Sequence, residues 1–170
     1  MADGAGIQRR ASCACGRVQL KVVGAPILSA ACCCSDCQAA GRLIEARPGG
    51  APIRDAYGAT PYLTYRDDRF ACVAGAEALE GVRLSETAPT TRYVATCCNS
   101  GMYLKFAPGW WTSVYRARVL DDPPPLAMRN KTASLPPGVT LPSDIPAYRG
   151  FPPQLLGRLL SARLAMWLGR

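Results

Sequence analysis

The chain has no histidine among its 170 residues. That absence excludes serine–histidine and cysteine–histidine nucleophilic mechanisms. Acid–base work near neutral pH falls instead to a tyrosine, a carboxylate, a perturbed cysteine or metal-bound water. A concentrated basic tract is missing too. The net charge is +8, from 20 Lys+Arg against 12 Asp+Glu, but the arginines are scattered along the chain. Nucleic-acid recognition needs its cations clustered, so there is no strong nucleic-acid signal, and the charge reads as that of a soluble basic protein. Met1-Ala2-Asp3-Gly4 lacks the basic start and apolar run of a secretory leader. The expected location is cytoplasmic.

What the chain does have is sulfur. Cys32-Cys33-Cys34-Ser35-Asp36-Cys37 packs four cysteines into six residues, a density for which core packing has no use. Cys32, Cys34 and Cys37 form a C-x-C-x-x-C pattern able to place three thiolates around one tetrahedral ion, and zinc is the natural choice for soft ligands at tight spacing. Two further pairs, Cys13-x-Cys15 and Cys97-Cys98, lie far away in sequence. Nine cysteines in all, some adjacent or one residue apart, make a poor disulfide framework and a good set of metal thiolates in a reducing compartment.

With 49% hydrophobic residues, 15 prolines and 16 glycines, the composition fits one domain of short strands and many turns. Residues 1–11 read as a disordered start. Arg17-Val18-Gln19-Leu20-Lys21-Val22 alternates like a half-buried strand, and Ile27–Ala30 returns to deliver Cys32. Cys37–Gly41 opens a short helical turn before a Gly- and Pro-rich linker at 47–52. Strands are expected around 62–65, 69–74, 80–85, 91–96, 102–106 and 110–117, with Cys97–Gly101 as a hairpin knuckle. The zinc-binding β-domain spans 12–122. Residues 123–152 form a proline-rich extended arm, since proline donates no ladder hydrogen bond. Residues 153–170 repeat leucine at helical spacing, with Arg158, Arg163 and Arg170 interspersed: an amphipathic helix that packs on its own domain, mediates dimerisation, or meets a partner or membrane. The arginines interrupt the apolar run and argue against a transmembrane span.

Ser12-Cys13-x-Cys15-Gly16-x-Val18, Gly24-x-Pro26 and Cys32-x-Cys34-x-x-Cys37-Gln38 together resemble the opening of the glutathione-dependent formaldehyde-activating enzyme (GFA) family, which includes centromere protein V-like proteins. Cys97-x-x-Ser100-Gly101-x-x-Leu104 and Leu120-Asp121-Asp122-Pro123 continue the likeness across residues 12–123. The resemblance implies a mainly β, Mss4-like β-tent with two zinc positions. It implies a structural zinc on Cys13, Cys15 and Cys97, with Cys98 or Ser100 for the fourth place, and a functional zinc on Cys32, Cys34 and Cys37 with one position open. The implied chemistry joins formaldehyde to the glutathione thiol, or cleaves S-(hydroxymethyl)glutathione, as a carbon–sulfur lyase. Two positions depart from the family pattern: Cys33 stands where it usually has histidine, and Ser100 where it has cysteine.

The other notable residues have plainer readings. Cys72 is a small buried hydrophobe. Cys33, pointing away from its neighbours, is a free thiol. Trp110-Trp111 is core packing or a pocket wall. Asp121 and Asp122 pin a turn more readily than they form a catalytic pair. Tyr62, Tyr65 and Arg92 are available to bind a carboxylate, and nothing in the sequence selects among them. The leading function is a zinc-dependent carbon–sulfur lyase acting on glutathione or another thiol–aldehyde adduct. The alternative is a non-catalytic zinc-binding module that uses its basic C-terminal helix for protein or membrane interaction.

Overall fold

The structure is a computed structural model that describes residues 6–169. It is mainly β, with two sheets and a C-terminal helix, as the sequence leads one to expect. A small sheet orders β1 (Gln8–Ser12), β2 (Gln19–Val23) and β5 (Phe70–Ala74) side by side. A seven-stranded sheet runs from β10 (Met128–Asn130) through β3 (Leu28–Cys32), β4 (Thr60–Arg66), β9 (Trp111–Tyr115), β8 (Ser100–Phe106) and β7 (Thr90–Ala95) to β6 (Leu79–Val82). All pairings are antiparallel except that of β10 with β3.

Side-chain alternation divides the interior. Leu20 and Val22 of β2, with Val18 ahead of it, pack with Leu63 and Tyr65 of β4, Met102 of β8 and Val114 of β9. Each such aliphatic contributes about 1.5–3 kcal/mol on burial. Tyr62, on the opposite face of β4, packs with Leu28, Ala30 and Cys32 of β3, Met128, and Leu155 of the C-terminal helix. β3 is buried at every position because both its faces are covered. Its odd-numbered neighbours Ala31 and Cys33 meet Ala59, Leu126 and Leu135 instead.

Two segments differ from the sequence expectation. Residues 1–5 lie outside the described residues, but Gln8–Ser12 is a strand rather than part of a disordered start. It has only one buried residue, Ala11, and so no apolar signal. It is held by its ladder to β2 and by Asp121, whose carboxylate accepts from the Arg10 backbone N–H at 2.7 Å and pairs with its guanidinium at 3.0 Å. Cys37–Gly41 belongs to a full helix, α1 (Ser35–Glu45). Glu45 extends it by capping the chain beyond: its carboxylate accepts from the Ile53 and Arg54 backbone N–H groups and pairs with the Arg54 guanidinium at 2.6 Å. Gly41 is needed inside α1 because the Arg54 side chain lies 2.5 Å from where a Cβ would stand.

Residues 123–152 lie along the large sheet. Ala127 N–H donates to Ser29 O, Ser29 Oγ to Pro124 O, and β10 adds the parallel edge. Helix α2 (Pro153–Trp167) starts with proline in its first turn, where no backbone donor is lost. It rests on the domain through buried Leu155 and half-buried Leu159, while Leu156, Leu160, Leu164 and Trp167 stay exposed. Arg170 lies outside the described residues. Among the described residues no helix is long and apolar enough to cross a membrane.

Candidate functional site

The nine cysteines are free thiols, and seven of them form two clusters. The first joins segments more than 80 residues apart. Just past β1 the chain turns at Cys13–Gly16, with Gly16 at φ +82°, where a side chain would be strained. From the other side comes the knuckle between β7 and β8, where Asn99 takes a left-handed conformation at φ 52°. The sulfur of Cys15 lies 3.5 Å from Cys13 and 3.3 Å from Cys97, Cys13 and Cys97 are 3.8 Å apart, and Cys98 is 4.0 Å from Cys97. All four Sγ atoms fall within 4.8 Å of one another. Ser100 stands behind this group: its hydroxyl accepts the Ala14 N–H at 3.0 Å and lies 3.2 Å from Cys98 Sγ. Burial opposes ionisation of Cys98, but hydrogen bonds from the Ser100 hydroxyl and from the Cys15 and Ser100 backbone outweigh it and draw the thiol down to about 6.

The second cluster is local. β3 ends at Cys32 and α1 begins after Cys34, so Cys32, Cys34 and Cys37 converge at a strand–helix junction. Cys34 is the N-cap of α1, and its sulfur accepts the Cys37 N–H at 3.3 Å. Donation from the Cys32 and Cys37 thiols, helped by backbone N–H groups, holds Cys34 far below the usual thiol range. As donor to Cys34, and with burial adding, Cys32 is pushed up to about 12. Cys33 takes no part. It is 0% exposed, faces the Ala31–Ala59 side, and burial pushes its thiol up to about 11. Among the described residues no fourth Cys, Asp or Glu joins Cys32, Cys34 and Cys37.

All-sulfur donor sets with backbone N–H groups turned on the sulfurs (Val18 N–H to Cys13 Sγ at 3.2 Å is another) suit a soft tetrahedral ion. Both clusters can hold metal ions.

The second cluster opens into a cavity of about 580 Å³, within the range of small-molecule sites. Leu28 and Tyr62 form its floor with the cysteines. Leu104, Phe106 and Trp111 form one wall, and Phe151, Leu155, Leu156 and Leu159 the other. Tyr62 is buried and stays neutral, because burial and the nearby thiols push its hydroxyl upward. Its oxygen accepts from Asn130 Nδ2 at 3.3 Å, leaving its own proton free to donate.

Of the three residues available for a carboxylate, Arg92 and Tyr62 line this cavity, whereas Tyr65 is enclosed in the core between the sheets. Trp111 is a cavity wall, and Trp110 packs edge-on against it at 5.0 Å. Asp121 pairs with Arg10 and the Asp122 carbonyl accepts from Arg9, so both pin β1. Cys72 is half-buried against the core, its thiol donating to Ala74 O. The walls from the arm and α2 were not foreseeable from sequence, since no local pattern reports which sheet face a distant helix covers.

Fold and clusters together define a thiol-rich, mainly β protein equipped to bind metal. Residues 8–46, from β1 to the end of α1, match the family model of the glutathione-dependent formaldehyde-activating enzyme. Over that stretch the chain is similar to the GFA family. A search of curated proteins finds no match. Among solved structures, a Rhodobacter sphaeroides protein aligns at 20% identity with a TM-score of 0.48, covering 68% of this chain and 91% of that one.

Proposed function

We propose that this protein is a zinc-dependent carbon–sulfur lyase that forms or cleaves the adduct of a thiol and a small aldehyde, as S-(hydroxymethyl)glutathione synthases do. One observation carries the reading: a three-sulfur cluster, joined by no fourth Cys, Asp or Glu among the described residues, opens directly into a cavity of small-molecule size. Catalytic zinc sites keep such an open position and structural ones close it.

Cys32, Cys34 and Cys37 would hold the functional zinc. Cys13, Cys15, Cys97 and Cys98 would hold a structural one, with Cys98 taking the place that Ser100 cannot fill with a neutral hydroxyl. Zinc supplies Lewis acidity, favouring a thiolate or stabilising charge on an aldehyde oxygen. In the synthetic direction the substrate sulfur bonds to the carbonyl carbon, the C=O π bond breaks, and the thiol proton ends on the new hydroxyl. Tyr62, its oxygen already engaged by Asn130, would donate a hydrogen bond to the oxygen on which charge develops. The cavity walls are aromatic and leucine-rich, and the free thiols suit a reducing cytoplasm.

The test is zinc stoichiometry on reduced protein, X-ray absorption to count sulfurs per metal, and exchange NMR of the formaldehyde adducts of glutathione and of 6-mercaptohexanoate with free formaldehyde. Two zincs, one with three sulfurs and a lighter ligand, and exchange accelerated over buffer are expected. A single four-sulfur zinc, or exchange at the buffer rate for both adducts, would sink the reading.

A second reading rests on α2. Leu156, Leu160, Leu164 and Trp167 fall on one exposed face by their i, i+4, i+8, i+11 spacing, and no acidic residue follows Asp144. The protein would then be a non-catalytic zinc module that lays this helix on an anionic membrane surface. Sedimentation with phosphatidylglycerol vesicles, lost on deletion of residues 153–170, would favour it. Absence of sedimentation would remove it.

A further inference from the structure

We propose that Arg92 is the anion anchor of the cavity, and that the substrate thiol carries a carboxylate at the end of an apolar body. This deepens the lyase reading and rests on it for the role of the thiol. The anion site itself stands on independent observations.

Arg92 lies on the inward face of β7, opposite Leu104 of β8, and is only 3% exposed. Burying a guanidinium without a counter-charge is costly, and proteins ordinarily pair it. The other deeply buried arginine, Arg129, obeys that rule, with Asp144 at 2.7 Å. Arg92 does not. Its contacts are two long hydrogen bonds, Nη1 to Thr90 O at 3.4 Å and Nη2 to Asp36 O at 3.3 Å, with no ion pair among the described residues. Its hydrogen-bond partners are backbone carbonyls and not a cysteine sulfur. Five N–H donors in a planar fork suit a carboxylate, and most of that capacity is unused.

Position completes the case. Asp36, whose carbonyl Arg92 touches, directly precedes Cys37, so the guanidinium flanks the three-sulfur cluster. The rest of the lining is largely apolar, from Leu28, Leu104, Phe106, Trp111 and Leu155, with Asp36 and Lys131 as its other charged members. A ligand with sulfur at one end, carboxylate at the other and hydrocarbon between them matches all three features. Glutathione carries an ammonium group, a second carboxylate and two peptide bonds, more polar groups than this largely apolar lining matches.

The experiment titrates reduced full-length protein with 6-mercaptohexanoate, 6-mercaptohexanol, hexanoate and glutathione, followed by tryptophan fluorescence, since Trp111 is in the wall. The mercaptocarboxylate should bind at least tenfold tighter than the alcohol and tighter than glutathione. In Arg92→Gln that advantage should vanish and hexanoate binding should be lost, while Arg92→Lys keeps part of both. Because the wild-type charge is unpaired, Arg92→Gln should melt no lower than the parent, and the charge-transfer bands of the cobalt-loaded protein should not change. Equal binding of the alcohol and the acid by the wild type, undiminished hexanoate binding by Arg92→Gln, or a preference for glutathione would overturn the proposal. The two readings fail separately. Absence of zinc or turnover sinks the lyase but leaves Arg92-dependent hexanoate binding intact, whereas turnover indifferent to the carboxylate sinks only the anchor.

Discussion

The hydroxyl of Ser100 lies 3.2 Å from the sulfur of Cys98, and the serine is fully buried while the cysteine faces the Cys13–Cys15–Cys97 group. Cys98 brings the fourth sulfur to that group, and the serine hydroxyl supports it from behind. The left-handed Asn99 makes this geometry available, because it turns the chain between the two positions.

Cys98→Ser should therefore cost the protein one bound metal ion and much of its thermal stability, since structural zinc binding is part of the folding free energy. Ser100→Ala should retain the metal and lose only about 0.5–1.5 kcal/mol, the usual range for one hydrogen bond. Elemental analysis and thermal melting of both variants decide the matter. Equal metal content in Cys98→Ser and the parent would return the fourth place to another group.

Cys33 should be silent. It is buried, and its thiol is held up near 11 by that burial. Cys33→Ala should keep full metal content and the cobalt spectrum at a cost of about 1 kcal/mol for the small void, whereas Cys32→Ala should lose the ion at the second cluster. Alkylation of native protein followed by mass spectrometry should find Cys33 unmodified.

The Glu45 carboxylate works against its burial, but the Arg54 guanidinium and the Ile53 and Arg54 N–H groups hold it below the ordinary value of 4.5. A lowered carboxylate stabilises the fold fully above its unfolded value and progressively less as pH falls through the folded one. Stability should thus decline below about pH 4.5, and Glu45→Gln should flatten that decline while costing roughly 1–3 kcal/mol at neutral pH. Urea titrations between pH 7 and pH 3 measure both. Identical pH profiles for the two proteins would remove Glu45 from the acid limb.

Leu155 is the buried residue of α2, packed with Leu28, Tyr62 and Met128 beside the cavity. Leu155→Ala should destabilise by about 2–5 kcal/mol if the helix unfolds with the domain. If it detaches alone, global stability should hold while α2 amides lose hydrogen-exchange protection and cavity ligands bind more weakly. Unchanged exchange throughout α2 would show that Leu159 and Phe151 suffice.

Much of this protein is written in short-range patterns. Cys32, Cys34 and Cys37 are close enough in sequence that a strand end followed by a helix cap must bring them together. The alternation around Leu20 and Val22 marks a strand because side-chain direction repeats every two residues. The leucines after Pro153 mark a helix for the equivalent reason. β1 and β10 are different. Each has little apolar content, and the hydrogen bonds that make them strands come from partners elsewhere in the chain.

The sequence by itself determined the local sulfur cluster, the β-rich class and the tail helix, because each depends on spacing within a few residues. Only the tertiary structure could decide that Cys98 lies with Cys13, Cys15 and Cys97, that Tyr62 and Arg92 face the cavity while Tyr65 does not, and that α2 walls the three-sulfur cluster. Those facts depend on which faces of distant strands meet and on which buried charges find partners. Both are set by packing over the whole chain, and neither leaves a local signature.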